Sequence, residues 1–110
     1  MTDKIVVYNT CASAEEAEKI ARRLVEARLA ACVSVVPGLR SFYRWHGAIE
    51  DSTEWLLIIK TSRGRFSELR AELERLHSYE VPELIALPIV DGSPDYLNWL
   101  DAEIRNDPAV

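Results

Sequence analysis

The hydrophobic pattern along the first third of the chain predicts a strand, a helix and a second strand. Residues 5–8 form an uninterrupted apolar run that is typical of a buried strand. Ser13 can cap the helix that follows, because Glu16 stands three places later as in a capping box. Residues 31–36 are predicted to form the second strand, which we expect Pro37-Gly38 to interrupt. Between the two strands, apolar residues recur at helical spacing up to a helix end near Arg28: Ala17, Ile20, Ala21, Leu24 and Val25.

The middle of the chain predicts a long hairpin and a second helix. Its aromatic residues favour continued extended structure over residues 39–45, and His46-Gly47 is predicted to form a turn. A third strand is predicted at residues 54–59. Gly64 then introduces a helix whose apolar face carries Phe66, Leu69, Leu73 and Leu76.

The remaining pattern predicts one more strand and one more helix. Residues 84–89 form the fourth predicted strand, where Pro88 lacks a backbone donor and indicates a sheet edge or a strand end. Ser93 and Pro94 are typical of a helix start. Strand-helix-strand occurs twice, which predicts an α+β, ferredoxin-like βαββαβ sandwich with an additional C-terminal helix. We expect one domain over residues 1–110.

Composition and charge narrow the function classes. The chain has 110 residues, of which 48% are hydrophobic and 28% charged, which is the balance of a globular protein. Its net charge of -5 disfavours a nucleic-acid binder, which needs a basic face. The chain has no apolar run long enough for a membrane span, and its start lacks a signal pattern. We therefore expect a cytoplasmic protein with neither nucleic acid nor membrane as a partner.

The predicted topology brings chemically interesting residues to one end of the sheet. The exit of the first strand at Cys11, the joint at residues 77–83 and the hairpin tip are expected there, whereas Cys32 begins a strand at the opposite end. The two cysteines are thus too far apart for a disulfide. We expect Cys32 to be a small buried hydrophobic residue.

A thiol, an imidazole and carboxylates at this end suit a soft divalent metal such as copper or zinc. The candidate ligands are His77, Cys11 and Glu80, with Glu83 nearby. Cys11 precedes a helix start, where the helix dipole can lower a thiol pKa. The alternatives are a purely structural Cys11 and a His77 that only completes a helix end. No catalytic triad, paired-carboxylate motif or HExxH motif is present, so we do not predict an enzyme.

Several motifs, in the same order, resemble the CutA divalent-cation-tolerance proteins. They are residues 29–33 (LAACV), 41–47 (SFYRWHG), 57–61 (LIIKT), 77–83 (HSYEVPE) and 96–100 (YLNWL). The resemblance implies a ferredoxin-like subunit in a heat-stable homotrimer, assembled through edge strands much like the PII signalling proteins. It also implies a cytoplasmic role in tolerance of copper and other divalent metals, with copper binding proposed and no enzymatic activity established.

The chain departs from the family pattern around the proposed metal ligands. Members with a proposed copper site can carry the thiol where this chain has Asn9, and a second histidine where it has Leu76. Of the copper ligands proposed for those members, only the histidine at His77 is present at the matching position of this chain. Ser78 also replaces a usual proline, and Ala12 replaces another.

The alternative function is a PII-like small-molecule sensor or a structural scaffold, with a ligand site at the subunit interface. Aromatic walls with a few polar groups suit such a site, which predicts ligand contacts from Tyr43, Trp45, Lys60 and Tyr79, with Glu80 beside them. Surplus aromatic residues on the hairpin also favour self-assembly. The alternative for the hairpin is that it packs on its own helices.

Overall fold

The computed structural model describes residues 2–105 and shows a four-stranded sheet with three helices. The sheet is antiparallel throughout, in the order β2-β3-β1-β4, which confirms the α+β, ferredoxin-like prediction. The elements are β1 Lys4–Cys11, α1 Ala14–Glu26, β2 Cys32–Trp45, β3 Ala48–Ser62, α2 Phe66–Leu76, β4 Ile85–Pro88 and α3 Pro94–Glu103, with one 3₁₀ turn at Arg63–Arg65 before α2.

Helix α1 begins and ends near the predicted places. The Ser13 hydroxyl oxygen accepts a hydrogen bond from the Glu16 N–H at 3.1 Å, which satisfies one of the free amides of the first turn. Past the last helical residue, Arg28 has a φ of 58°, the left-handed conformation that commonly ends a helix. The apolar stripe of α1 is fully buried against the sheet at Ala17, Ile20 and Leu24.

The core lies between one face of the sheet and helices α1 and α2. Alternation along β1 and β3 places Val7, Leu57 and Ile59 on this face, where they are fully buried. Leu69 and Leu73 of α2 complete the same cluster. The opposite face of the sheet is covered less well, and α3 forms a separate small cluster there with Ala31, Leu100 and Ile104.

The β2–β3 hairpin is longer than its predicted strands. Strand β1 pairs with β3 only as far as the Cys11–Trp55 pair, so residues 48–54 of β3 and their partners extend beyond the sheet. At about 3.3 Å per residue this extension is roughly 23 Å long. The predicted break at Pro37 and Gly38 is a β-bulge in one continuous strand, because β2 has one extra residue relative to β3 between Val36 and Leu39.

The fourth strand, at the edge of the sheet next to β1, is shorter than predicted. Strand β4 covers only Ile85–Pro88 and lies at the sheet edge, so Pro88 is both an edge residue and a strand end as expected. All four residues of β4 are exposed.

Within residues 2–105, no helix combines the length and the apolar character that crossing a membrane requires.

The hairpin turn depends on backbone conformations that L-residues adopt at a cost. His46 and Gly47 have φ values of 51° and 80°, the pair of positive values of a type I′ turn, which matches the twist of the strands. We expect Gly47→Ala to lower the free energy of unfolding by about 1–2 kcal/mol, because alanine is strained at positive φ. Thermal and urea unfolding at fixed protein concentration measure this loss.

Gly64 provides the matched control. It lies in the 3₁₀ turn without a positive φ, and a Cβ added there meets no atom within 4 Å. Gly64→Ala should leave stability unchanged or raise it slightly, since alanine restricts the unfolded chain. Equal losses in the two variants would contradict the strained-turn explanation.

Candidate functional site

The imidazole of His77 fastens the end of α2 to the end of β1. His77 is the C-terminal cap of α2, and its backbone N–H still donates to the Leu73 carbonyl at 2.9 Å. Its ring nitrogen Nε2 lies 2.8 Å from the Thr10 carbonyl oxygen, and Nδ1 accepts the Tyr79 N–H at 3.1 Å. A carbonyl can only accept, so this network assigns the ring proton to Nε2. Both nitrogens of His77 therefore have partners.

Cys11 lies directly against this ring. Its Sγ is 3.8 Å from His77 Nε2 and donates toward Asn9 Oδ1 at 3.4 Å. The side chain is fully buried. Burial, together with the Glu16 and Glu54 carboxylates, raises the pKa of the Cys11 thiol from 9.0 to about 12. The expectation that the nearby helix start lowers this pKa is therefore wrong, since loss of solvation and negative neighbours outweigh the dipole.

Glu16 is the third member of this group. Ligand atoms of Cys11, Glu16 and His77 all lie within 4.8 Å of one another. Glu16 Oε2 accepts the Ser78 N–H at 2.7 Å, and Oε1 accepts the Ala12 N–H at 3.4 Å. Although burial alone raises the pKa of the Glu16 carboxyl, hydrogen bonding to the Ser78 side chain, the two backbone hydrogen bonds and the nearby His77 together lower it below its usual 4.5. We call Cys11, Glu16 and His77 the donor cluster.

Glu16 was not predicted as a site residue, because the capping box already accounted for a glutamate at this position. A signal was available, since Glu16 lies one helical turn after the Cys11 segment and can face the same end of the sheet. Glu80, which was predicted as a ligand, lies outside the donor cluster and lines a neighbouring cleft.

Cys32 lies apart from this site. It begins β2 and pairs with Lys60 of β3, far along the sheet from the Cys11–Trp55 pair. Both thiols are free, as predicted. Cys32 is half-buried rather than buried, because its side chain shares the less covered sheet face with Ser34.

An open cleft of about 630 Å³ lies on the other side of the joint. Its walls are one face of the hairpin and the segment after His77. Three of the predicted ligand contacts line it together, namely Tyr43, Trp45 and Tyr79. Lys60 does not, because it lies at the other end of β3 with its Nζ 6.0 Å from the centre of the Tyr96 ring.

A buried carboxylate forms part of the cleft wall. Glu54 is only 5% exposed, and its Oε2 accepts the Tyr79 hydroxyl at 2.6 Å. Burial and the adjacent Glu54 raise the pKa of Tyr79 well above its usual range. The hydrogen bond between Tyr79 and Glu54 therefore links the 77–83 joint to the hairpin. Glu54 was not predicted as a site residue, because it begins a strand pattern whose next residues are apolar.

Thiol chemistry tests the description of Cys11. In a Cys32→Ser variant Cys11 is the only thiol, and we expect the native protein to react with a thiol reagent at pH 8 at least about 100-fold more slowly than the unfolded chain, since the thiolate is the reactive form. The rate should rise toward pH 11. The Cys11→Ser variant, which retains half-buried Cys32, serves as the accessible control. Equal native and unfolded rates for Cys11 would contradict its burial.

Comparison with known proteins gives the family. The family model described as "CutA1 divalent ion tolerance protein" matches residues 5–103. The divalent-cation tolerance protein CutA of Thermus thermophilus is 50% identical over 95 residues, covering 86% of this chain and 92% of that protein. The chloroplastic protein CutA of Arabidopsis thaliana is 46% identical over 102 residues, covering 93% of this chain and 56% of its own length.

A solved structure shows the same relationship. The crystal structure of CutA from Xylella fastidiosa is similar with a TM-score of 0.92 and 42% identity, covering 94% of this chain and all of that one (100%). The family model, the similar sequences and the shared fold all give the same result. This chain belongs to the CutA1 family of divalent ion tolerance proteins.

Proposed function

We propose that this chain is a noncatalytic homotrimer that acts in divalent cation tolerance in the cytoplasm and binds a divalent metal, copper foremost, at the donor cluster. The observation that carries the metal site is the convergence of a thiol, a carboxylate and an imidazole within 4.8 Å. Two free cysteines suit a reducing compartment. The family's tolerance function supplies the context.

The donor cluster fits a thiophilic divalent metal. Thiolate and imidazole favour copper or zinc over calcium or magnesium, and a carboxylate completes a set found around such ions. Binding has to overcome two features of the metal-free site. The Cys11 thiol is protonated, with its pKa raised to about 12, and His77 Nε2 donates to Thr10. A metal at this site therefore displaces the thiol proton, which makes affinity depend on pH.

A calorimetric titration of the reduced, metal-free protein with copper(II) and zinc(II) tests the metal site. We expect saturable binding of one metal per subunit. Proton release, measured in buffers of different ionisation enthalpy, should accompany it at pH 7, because Cys11 begins protonated. His77→Ala should weaken binding at least about 10-fold through loss of one ligand.

The chain offers a matched control for each ligand. His46→Ala removes the histidine at the hairpin tip, Cys32→Ser removes the thiol at the opposite end, and Glu15→Gln alters the exposed neighbour of Glu16. These three variants should bind as the parent does. Affinity that survives His77→Ala or Cys11→Ser would contradict the assignment of the site.

The exposed apolar surface supports the homotrimer. On the edge strand β4, Ile85 and Leu87 are 51% and 42% exposed, and Val36 of the opposite edge strand is 40% exposed. The hairpin adds Phe42 and Ile49, which are also exposed. Apolar edges of this kind are stable in solution when another chain covers them.

Light scattering tests the assembly. We expect the parent to have three times the subunit mass, and Leu87→Glu to lower this mass at micromolar protein concentration, because a buried, unpaired carboxylate destabilises an apolar interface. Leu87 is exposed in the subunit, so the variant should still fold. Glu74→Lys on the solvent side of α2 is the control and should leave the mass unchanged. A monomeric parent would contradict the proposal.

A further inference from the structure

We propose that the cleft between the hairpin and the 77–83 joint binds a small organic cation, a protonated amine on a short apolar chain. The sequence left open a small-molecule sensor as the alternative function, and a small organic cation is the class of ligand that this cleft favours. It concerns a surface separate from the donor cluster and does not require a metal there.

The first support is the buried carboxylate of Glu54. It is 5% exposed and accepts a single side-chain hydrogen bond, from the Tyr79 hydroxyl to Oε2. Among residues 2–105, no lysine, arginine or histidine forms an ion pair with it. A buried carboxylate without an opposite charge is costly. Because Glu54 lines the cleft, an ammonium group of a ligand there can donate to this carboxylate and supply the opposite charge.

The second support is the charge of the whole cleft. Glu80 and Glu83 line it with Glu54, and none of its lining residues is basic. The nearby Arg40 is held by both Asp51 carboxylate oxygens at 3.0 and 2.6 Å, so its charge is already matched. A concave surface lined by one sign of charge concentrates counter-ions. The cleft therefore favours a cation over a phosphate or a carboxylic acid.

The third support is the aromatic wall. Tyr43 and Trp45 are two residues apart in β2, so their side chains lie on the same face of the strand. Tyr79, in the 77–83 joint, lines the same cleft. Aromatic faces attract ammonium groups and also cover the apolar chain that carries them. A neutral apolar ligand would bury Glu54 further without an opposite charge.

The size of the cleft argues for an organic ion rather than a metal. Within residues 2–105, the group of potential metal ligands found close together is the donor cluster, and the cleft carboxylates are not part of it. A volume of about 630 Å³ lies in the range of small-molecule sites.

The test compares butylammonium with 1-butanol, a neutral molecule of nearly the same shape, in EDTA. The assembled protein is titrated while the Trp45 indole N–H signal is followed by NMR. We expect saturable shifts with butylammonium and at least about 10-fold weaker binding of butanol, since only the cation pairs with Glu54. Glu54→Gln preserves an acceptor for Tyr79 and should weaken amine binding at least about 10-fold. Glu18→Gln on the exposed side of α1 should not change it.

Three results would overturn the proposal. They are butanol binding as tightly as the amine, full amine affinity in a folded Glu54→Gln variant, and a Trp45 signal that does not respond to the amine. The Cys11→Ser variant separates this site from the metal site. Amine binding should persist there while metal binding is lost, so either proposal can fail without the other.

Discussion

The arrangement of both sites depends on two hydrogen bonds of one imidazole. His77 donates from Nε2 to the Thr10 carbonyl of β1 and accepts at Nδ1 from the Tyr79 N–H. The first bond fixes the end of α2 against the sheet, and the second directs the chain that follows. Asn9 strengthens the same junction by donating to the Glu83 carbonyl at 2.8 Å. Without this fastening, a polar joint on the surface would be free to move, and neither the donor cluster nor the cleft would keep its shape.

The hairpin imposes the second constraint. It carries residues 48–54 and their partners past the end of β1, beyond the helices that cover the sheet. Its β2 strand carries Tyr43 and Trp45 of the cleft, and the hairpin also exposes Phe42 and Ile49. A chain of this length cannot bury so much apolar surface alone. The proposed assembly and the proposed ligand site therefore depend on the same extension, whose type I′ turn and β-bulge set its direction.

Periodic segments are predictable from the sequence because one local pattern specifies each of them. The stripe of α1, its cap and the order of elements follow from local chemistry, and that order alone brings Cys11 and His77 to the same end of the sheet. Tertiary contacts decide the rest. Glu16 joins the donor cluster because Ser78 donates to it from 62 residues away. Lys60 is separated from Trp45 because β3 is 15 residues long, so the two lie at opposite ends of the hairpin. The pKa of Cys11 follows from burial, which no local spacing reveals.

His77 belongs to the donor cluster and also anchors the backbone of Tyr79, a residue of the cleft wall, which has a chemical consequence for both sites. In the metal-free protein the ring proton lies on Nε2, and Nδ1 is the acceptor for Tyr79. At the proposed metal site, a metal coordinated by Nε2 would take the place of that proton, and the neutral imidazole would carry its proton on Nδ1. Nδ1 could then no longer accept the Tyr79 N–H, whereas the hydrogen bond from the Tyr79 hydroxyl to Glu54 does not involve the ring. Metal at the donor cluster would therefore remove the backbone anchor of a residue in the cleft. If loss of this anchor moved Tyr79, reciprocity would require a ligand that holds the Glu54–Tyr79 pair in its present position to oppose metal binding at Nε2 to the same degree.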